Sequence, residues 1–120
     1  MRIEIRATAH DTVHFRCGQG DGAGVWHSPE PPRVGAAYDV ELDVDGDIRL
    51  HPGGGSGFRL DGGHVVIGGV LWFTDDGAPH LEVAGSPVAL ELAGDAPVEP
   101  GEPATLTVPL SAVHLYPYSL

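Results

Sequence analysis

Two histidines and the only cysteine of the chain lie within eight positions, at His10, His14 and Cys17. Imidazole and thiolate groups bind zinc and copper, but they must converge on one ion at about 2.0–2.3 Å. The stretch alternates as a strand does, with Val13, Phe15 and Cys17 on the inward side. This alternation favours two exposed histidines and a buried thiol. A turn at His10 would let the three side chains converge, so a zinc or copper site is the alternative.

Five carboxylates occupy every second position of another alternating segment: Asp39, Glu41, Asp43, Asp45 and Asp47. The letters DVDGD match the beginning of a calcium loop, which needs Gly at its sixth position and Glu at its twelfth. Counted from Asp43, those positions hold Ile48 and Gly54, so the match fails. We interpret the segment as a strand with one solvated acidic face. On that face, Asp39, Glu41 and Asp43 are candidate contacts for a basic protein partner.

Residues 18–37 show no period and are rich in glycine and proline, which predicts one long loop. Loops above about 12–15 residues without structure of their own are usually functional or disordered. Trp26 lies inside this stretch. A tryptophan in such a loop either fills the edge of the core or offers an anchor to a partner, so Trp26 is the fourth candidate partner contact.

The other polar motifs single out no catalytic residue. The pattern HExxH is missing, and the glycine-rich letters PGGGSGF lack the Lys-Ser/Thr of a phosphate-binding loop. They also fail as a nucleophile elbow, because Phe58 stands where the last glycine belongs. We interpret these letters as a flexible connector and expect a function that needs neither catalysis nor a cofactor.

The charge balance excludes several partners. The 120 residues include 17 Asp and Glu against six basic residues, all arginine, for a formal net charge of −11. Nucleic-acid binding depends on clustered basic residues, and anionic lipid surfaces repel an acidic protein. The longest apolar run, VVIGGVLWF, is shorter than the ~20 residues of a membrane-spanning helix, and the first residues do not resemble a signal peptide. We expect a cytoplasmic protein with no nucleic-acid or membrane partner and no intrachain disulfide.

Alternation with a period of two dominates the chain, as in RIEIRATA, TVHFRC, YDVELDV and VALEL. Turn signals separate these runs, among them the hairpin dipeptide Asp45-Gly46. VVIGGVLWF predicts a strand buried on both faces, with a bulge at Gly68-Gly69 and at least one of Trp72 and Phe73 in the core. About seven or eight short antiparallel strands predict a single all-β domain over residues 1–120, either a small barrel or a sandwich.

The stretch FRLDGGHVVIGGVLWF and the final stretch GEPATLTVPLSAVHLYPY resemble small OB-like barrels in their succession of short strands. The final stretch is also similar to the end of TOBE-type domains. YDVELDV and LYPY also resemble parts of small uncharacterised bacterial proteins. The resemblance implies an OB-like barrel that binds ligands through a sheet face and its loops. Nucleic-acid binding does not carry over, because no basic groove is encoded. An oxyanion ligand would find donors at Arg33, Ser28 and backbone amides.

Three functional hypotheses follow from these patterns. The first is a non-catalytic acidic module that docks a protein partner through Trp26, Asp39, Glu41 and Asp43, in the manner of an immunity protein or an inhibitor of a basic enzyme. The second is a small-ligand or metal-binding module that uses His10 and His14, with Cys17 as a further ligand. The third is a small enzyme with a site at the barrel mouth.

Overall fold

The computed structural model describes residues 1–92 and 97–118, and within these ranges the chain forms eleven strands and one 3₁₀ turn at Leu110–Ala112. None of the helical structure described is long and apolar enough to cross a membrane. The strands are β1 (Arg2–Ala9), β2 (Thr12–Cys17), β3 (Gly20–Trp26), β4 (Ala37–Ile48), β5 (His51–Pro52), β6 (Gly57–Asp61), β7 (His64–Phe73), β8 (Pro79–Val83), β9 (Ser86–Leu92), β10 (Pro103–Pro109) and β11 (Val113–Pro117).

Strand pairing closes the sheet on itself. Eight strands form a ring in the order β1-β2-β3-β6-β7-β8-β9-β4, and β4 pairs with β1 to complete it. Neighbours are antiparallel except for the parallel pairs β3–β6 and β4–β9, and β11 adds a parallel pairing to β3. The predicted all-β class is therefore confirmed, and of the two architectures left open, barrel and sandwich, the structure has the barrel. Its ring has eight strands, whereas an OB fold has about five.

The inward residues of the strands form one hydrophobic core, because side chains on a strand alternate between two faces. Ile3, Ile5 and Phe15 are at most 1% exposed, and the Phe15 ring meets the Phe58 ring edge-on at 5.7 Å between centroids. Alternation alone predicts that Ala7 also lies inside, yet Ala7 is exposed. The pairing of β1 with β2 shifts register between Ile5 and Ala7, and such a bulge reverses the face of every later residue.

The long loop predicted over residues 18–37 is wrong for its first part, because β3 occupies Gly20–Trp26. Residue propensity does not predict β3, because the strand contains several glycines, but close packing requires these glycines. A Cβ at Gly22 would lie 2.4 Å from Cζ of Phe15, and one at Gly24 would lie 2.5 Å from Cδ1 of Leu115. Only glycine therefore lets β3 approach the core this closely. The remaining loop runs from residue 27 to residue 36.

The hairpin predicted at Asp45-Gly46 is also wrong. Strand β4 continues through both residues to Ile48, with Gly46 at φ +92°. The register between β4 and β9 shifts between Val44 and Ile48, so the dipeptide lies in an irregular part of a long strand. Glycine provides the positive φ that a bulge needs just as it does for a turn, which explains why the signal was ambiguous.

Strand β7 lies at the centre of the second half of the sheet and pairs with β6, β8 and β10. A Cβ at Gly68 would lie 1.8 Å from the carbonyl oxygen of Gly55, so the glycine-rich connector packs directly on β7. Trp72 and Phe73 are 44% and 41% exposed, so the prediction that one of them enters the core is wrong. They close the strand at the β7–β8 hairpin, beyond the last buried residue, Leu71.

Candidate functional site

An acidic and aromatic surface forms where β4 pairs with β11. Val40, Leu42 and Val44 point into the core, which leaves the alternate residues of β4 on the outside. The antiparallel register places His114 opposite Asp43 and Tyr116 opposite Glu41. We call this outer surface the β4–β11 face, and its residues are Asp39, Glu41, Asp43, Asp45, His114, Tyr116 and Tyr118.

The three carboxylates predicted to contact a partner lie together on this face and are all exposed. Asp39 accepts a hydrogen bond from Arg2 at 3.1 Å, and Glu41 accepts one from the Tyr118 hydroxyl, also at 3.1 Å. Asp43 has no ion-pair or hydrogen-bond partner in the described ranges. The hydrogen bond to Glu41 raises the pKa of Tyr118, with burial and the negative charge of Glu41 adding to it. The face thus keeps most of its negative charge.

Two histidines from distant parts of the chain meet at one edge of this face. Nε2 of His27 lies 2.7 Å from Nδ1 of His114, and the ring centroids are 4.9 Å apart. The distance between centroids greatly exceeds that between nitrogens, so the rings meet edge to edge rather than stacking. A metal ion between them would need about 2.0–2.1 Å to each nitrogen, which a 2.7 Å separation along this line does not allow. We call His27 and His114 the imidazole pair, and its geometry is that of a hydrogen bond.

A carboxylate lies beside the imidazole pair and favours one arrangement of its protons. Nε2 of His114 lies 3.0 Å from Oδ2 of Asp45. The direction from Nε2 to Oδ2 does not suit a hydrogen bond. This nitrogen is therefore buried without a hydrogen-bond partner in the described part of the chain. The negative charge of this carboxylate favours a proton on Nε2, in which case Nδ1 of His114 accepts from Nε2–H of His27. The His27 ring also stacks on Tyr116, with 4.6 Å between centroids.

A small pocket of about 270 Å³ lies on the β4–β11 face beside this contact. It opens over Ala89 of β9, whose small side chain leaves space between the longer side chains of neighbouring strands. Asp43, Asp45 and Glu91 line it together with the imidazole of His114. The lining is rich in acceptors with negative charge, so the chemistry it favours is the binding of a cationic group.

A larger groove of about 650 Å³ adjoins Tyr118 at the end of β11. We call it the proline–aromatic groove, and the residues that define it are Trp26, His27, Ser28, Pro29, Glu30, Pro31, Tyr38, Pro117 and Tyr118. Its volume lies within the range of about 300–1,000 Å³ that is usual for ligand sites. Aromatic and proline rings make up most of its wall, and Glu30 contributes a carboxylate.

The structure places Trp26 differently from the sequence prediction. Trp26 ends β3 rather than lying in a loop, and only 8% of it is exposed. Its indole N–H donates to the carbonyl oxygen of Glu30 at 2.9 Å, and its ring meets Tyr38 edge-on at 5.1 Å between centroids. Trp26 therefore forms the floor of the proline–aromatic groove instead of an exposed anchor.

The residues of the metal hypothesis do not converge in the structure. His10 lies in the β1–β2 turn at φ +57° and is exposed, whereas His14 lies within β2. Cys17 packs against the core, and its thiol contacts the carbonyl oxygen of Gly20 at 3.6 Å. Within residues 1–92 and 97–118, no three His, Cys, Asp or Glu side chains are arranged to hold a metal ion. Zinc or copper binding at His10 and His14 remains a hypothesis.

Sequence reasoning missed the imidazole pair and the exposed tyrosines. His27 and His114 lie 87 positions apart, so no local spacing relates them. The usable signal was the shared parity of Tyr116 and Tyr118 in the closing strand, which places both on one face. The exposed fractions of these two tyrosines, 40% and 56%, mark them as available for contacts.

Comparison with known proteins assigns no family: no family model, no curated protein and no solved structure matches this chain. The fold and the site nevertheless define a class of protein. The protein is a small all-β barrel whose outer surface carries a row of carboxylates beside exposed tyrosines and a proline–aromatic groove.

Proposed function

We propose that this protein is a non-catalytic binding module that docks a basic segment of a protein partner on the β4–β11 face. The observation that carries this proposal is the juxtaposition of Asp39, Glu41 and Asp43 on β4 with Tyr116 on β11 and with Tyr118 directly after it. Carboxylates select cationic side chains, and tyrosine is enriched at the energetic centres of protein interfaces.

The distribution of charge supports a basic partner. Among the described residues, four of the six arginines lie within 4.0 Å of a carboxylate of the chain, as the pairs Arg2–Asp39, Arg6–Glu4, Arg16–Asp21 and Arg49–Asp47. Only the first of these touches the β4–β11 face, so most of the charge on that face is not neutralised. A net charge of −11 attracts a basic partner over distance and repels acidic competitors.

The same charge pattern suits an inhibitor-like or immunity-like role toward a basic enzyme. Such proteins gain association rate from a strong opposite field and gain specificity from a few desolvated contacts. The exposed Tyr116 and Tyr118 would supply those contacts, since a tyrosine buries apolar area while its hydroxyl keeps a polar partner.

The first experiment measures the affinity of a synthetic peptide of alternating arginine and serine by calorimetric titration. The test variant removes three charges from the face by Asp39→Asn, Glu41→Gln and Asp43→Asn. The matched control removes the same charge elsewhere by Asp61→Asn, Glu99→Gln and Asp75→Asn, all at exposed positions.

We expect the face variant to bind at least about tenfold more weakly, because its cationic contacts are lost. The control should change affinity by no more than about threefold, because exposed charges beyond a Debye length are screened. Equal weakening by both variants would show that only net charge matters and would contradict the proposed docking face. No measurable binding of the peptide to the unmodified protein would contradict the proposal as a whole.

A further inference from the structure

We propose that the proline–aromatic groove binds a proline-rich segment in the extended polyproline II conformation, with a basic residue beside it. This inference rests on the proposed function and deepens it by naming the conformation of the partner segment. It is carried by the chemistry of the groove wall, by the chain's own segment packed there and by the adjoining carboxylates.

The wall of the groove offers proton donors but few backbone amides. Pro29, Pro31 and Pro117 line it, and proline has no N–H. The hydroxyl of Tyr38 accepts from the backbone N–H of Arg33 at 3.0 Å, and that of Ser28 accepts from Glu30 at 3.3 Å. Neither hydroxyl donates to an acceptor in the described ranges, so both O–H protons are available to a ligand.

A polyproline II segment matches this wall better than a strand or a helix does. Its backbone carbonyls are free, and its prolines bring no N–H that the groove would have to satisfy. A β-strand ligand needs an open sheet edge with alternating donors and acceptors, whereas side chains form this wall. Grooves lined by aromatic rings are the usual receptors for proline-rich segments, since the rings pack on the flat faces of proline.

The molecule already holds one proline-rich segment against the same aromatic pair. Residues 28–33 read SPEPPR, and this segment is held by two contacts. The indole of Trp26 donates to the carbonyl oxygen of Glu30, and the hydroxyl of Tyr38 accepts from Arg33. Residues 28–31 of this segment line the groove together with Tyr118, so a second segment in the groove would pack beside the first.

Negative charge at the groove specifies the basic residue of the ligand. Glu30 lines the groove, and its carboxylate has no cationic partner in residues 1–92 or 97–118. Tyr118 links the groove to the β4–β11 face, since its hydroxyl donates to Glu41 at 3.1 Å. An arginine next to the prolines would therefore reach a carboxylate from either side.

The test compares three synthetic peptides of equal length by calorimetric titration. The first is a run of prolines flanked by arginines, the second replaces the prolines by glycine and serine, and the third replaces the arginines by glutamine. We expect the first peptide to bind at least about tenfold more tightly than either of the others, because it is both preorganised and cationic.

Two exposed aromatic residues make a matched pair of variants. Tyr118→Ala should weaken binding of the first peptide at least about fivefold, because the ring forms one wall of the groove. Trp72→Ala removes an exposed aromatic ring that does not line the groove and should leave the affinity unchanged.

The outcomes separate this inference from the proposed function. If both arginine-containing peptides bind equally and the face variant weakens both, the acidic docking face stands and the groove assignment is overturned. An unchanged affinity in Tyr118→Ala would overturn it too. If neither arginine-containing peptide binds, the proposed function fails and this inference fails with it.

Discussion

Nε2 of His27 and Nδ1 of His114 lie 2.7 Å apart, although 87 positions separate the two residues. The contact joins the end of β3 to the closing strand β11, which also pair through His114 and Val25. Asp45 on β4 faces the other nitrogen of His114. His27 follows the end of β3, His114 lies in β11 and Asp45 lies in β4. These three titratable side chains form a row beside the β4–β11 face.

The imidazole pair should give a measurable scalar coupling across its hydrogen bond. Two facing ring nitrogens can share a bond only while one of them lacks a proton. In protein labelled with ¹⁵N-histidine, we expect a coupling between Nε2 of His27 and Nδ1 of His114. His114→Asn should abolish the coupling, whereas His10→Asn in the exposed β1–β2 turn should not. If no coupling is seen in the unmodified protein, the two rings do not share a hydrogen bond.

Tyr118 should titrate above an ordinary tyrosine, because its neutral hydroxyl donates to Glu41 and its pKa is therefore raised. Since folding raises this pKa, the contribution to stability is complete below the unfolded value of about 10 and is lost as the pH rises through the folded pKa. Absorbance titration of tyrosinate checks this, and the Tyr118→Phe variant identifies the transition that belongs to Tyr118. Glu41→Gln should move the transition toward the ordinary value, and no movement would show that the hydrogen bond is not its cause.

Gly68→Ala should destabilise the barrel by about 1–3 kcal/mol, the usual cost of overpacking a tight site. The new Cβ would lie 1.8 Å from the backbone oxygen of Gly55, and a backbone atom cannot move aside as a side chain can. Chemical denaturation monitored by circular dichroism measures the free energy of unfolding. Gly18→Ala is the control, because a Cβ there meets nothing within 4 Å. Equal stability of the two variants would contradict the packing of the connector on β7.

Phe15→Ala should lower the free energy of unfolding by about 3–5 kcal/mol, as for other large core truncations. The ring is 1% exposed and packs on Phe58 from one side and over Gly22 from another. Val34→Ala is the control, since Val34 is 62% exposed and should change stability by less than about 0.5 kcal/mol. A loss below about 1 kcal/mol for Phe15→Ala would place this ring outside the core and contradict the fold.

The sequence alone was sufficient for the fold class and for one face of the candidate site. Alternation in YDVELDV correctly placed Val40, Leu42 and Val44 inside, and Asp39, Glu41 and Asp43 consequently lie outside. This inference works because successive side chains of a strand must point to opposite faces, whatever the strand pairs with. The same period predicted extended structure on both sides of His10, but it left open one continuous strand or two strands turned at His10-Asp11, and the structure has the turn.

Only tertiary packing decided which glycines lie in a strand and which lie in a turn. Gly22 and Gly24 lie in β3 because neighbouring side chains come too close for a Cβ, and those neighbours are distant in sequence. Gly46 serves an irregularity in β4 rather than a hairpin, because β9 and β11 pair along that strand. The imidazole pair and the proline–aromatic groove also depend on tertiary structure, because β11 pairs with both β3 and β4 and brings their ends together. A local pattern shows on which face of its strand a residue lies. Contacts across the sheet depend instead on the register between strands, which no single segment specifies.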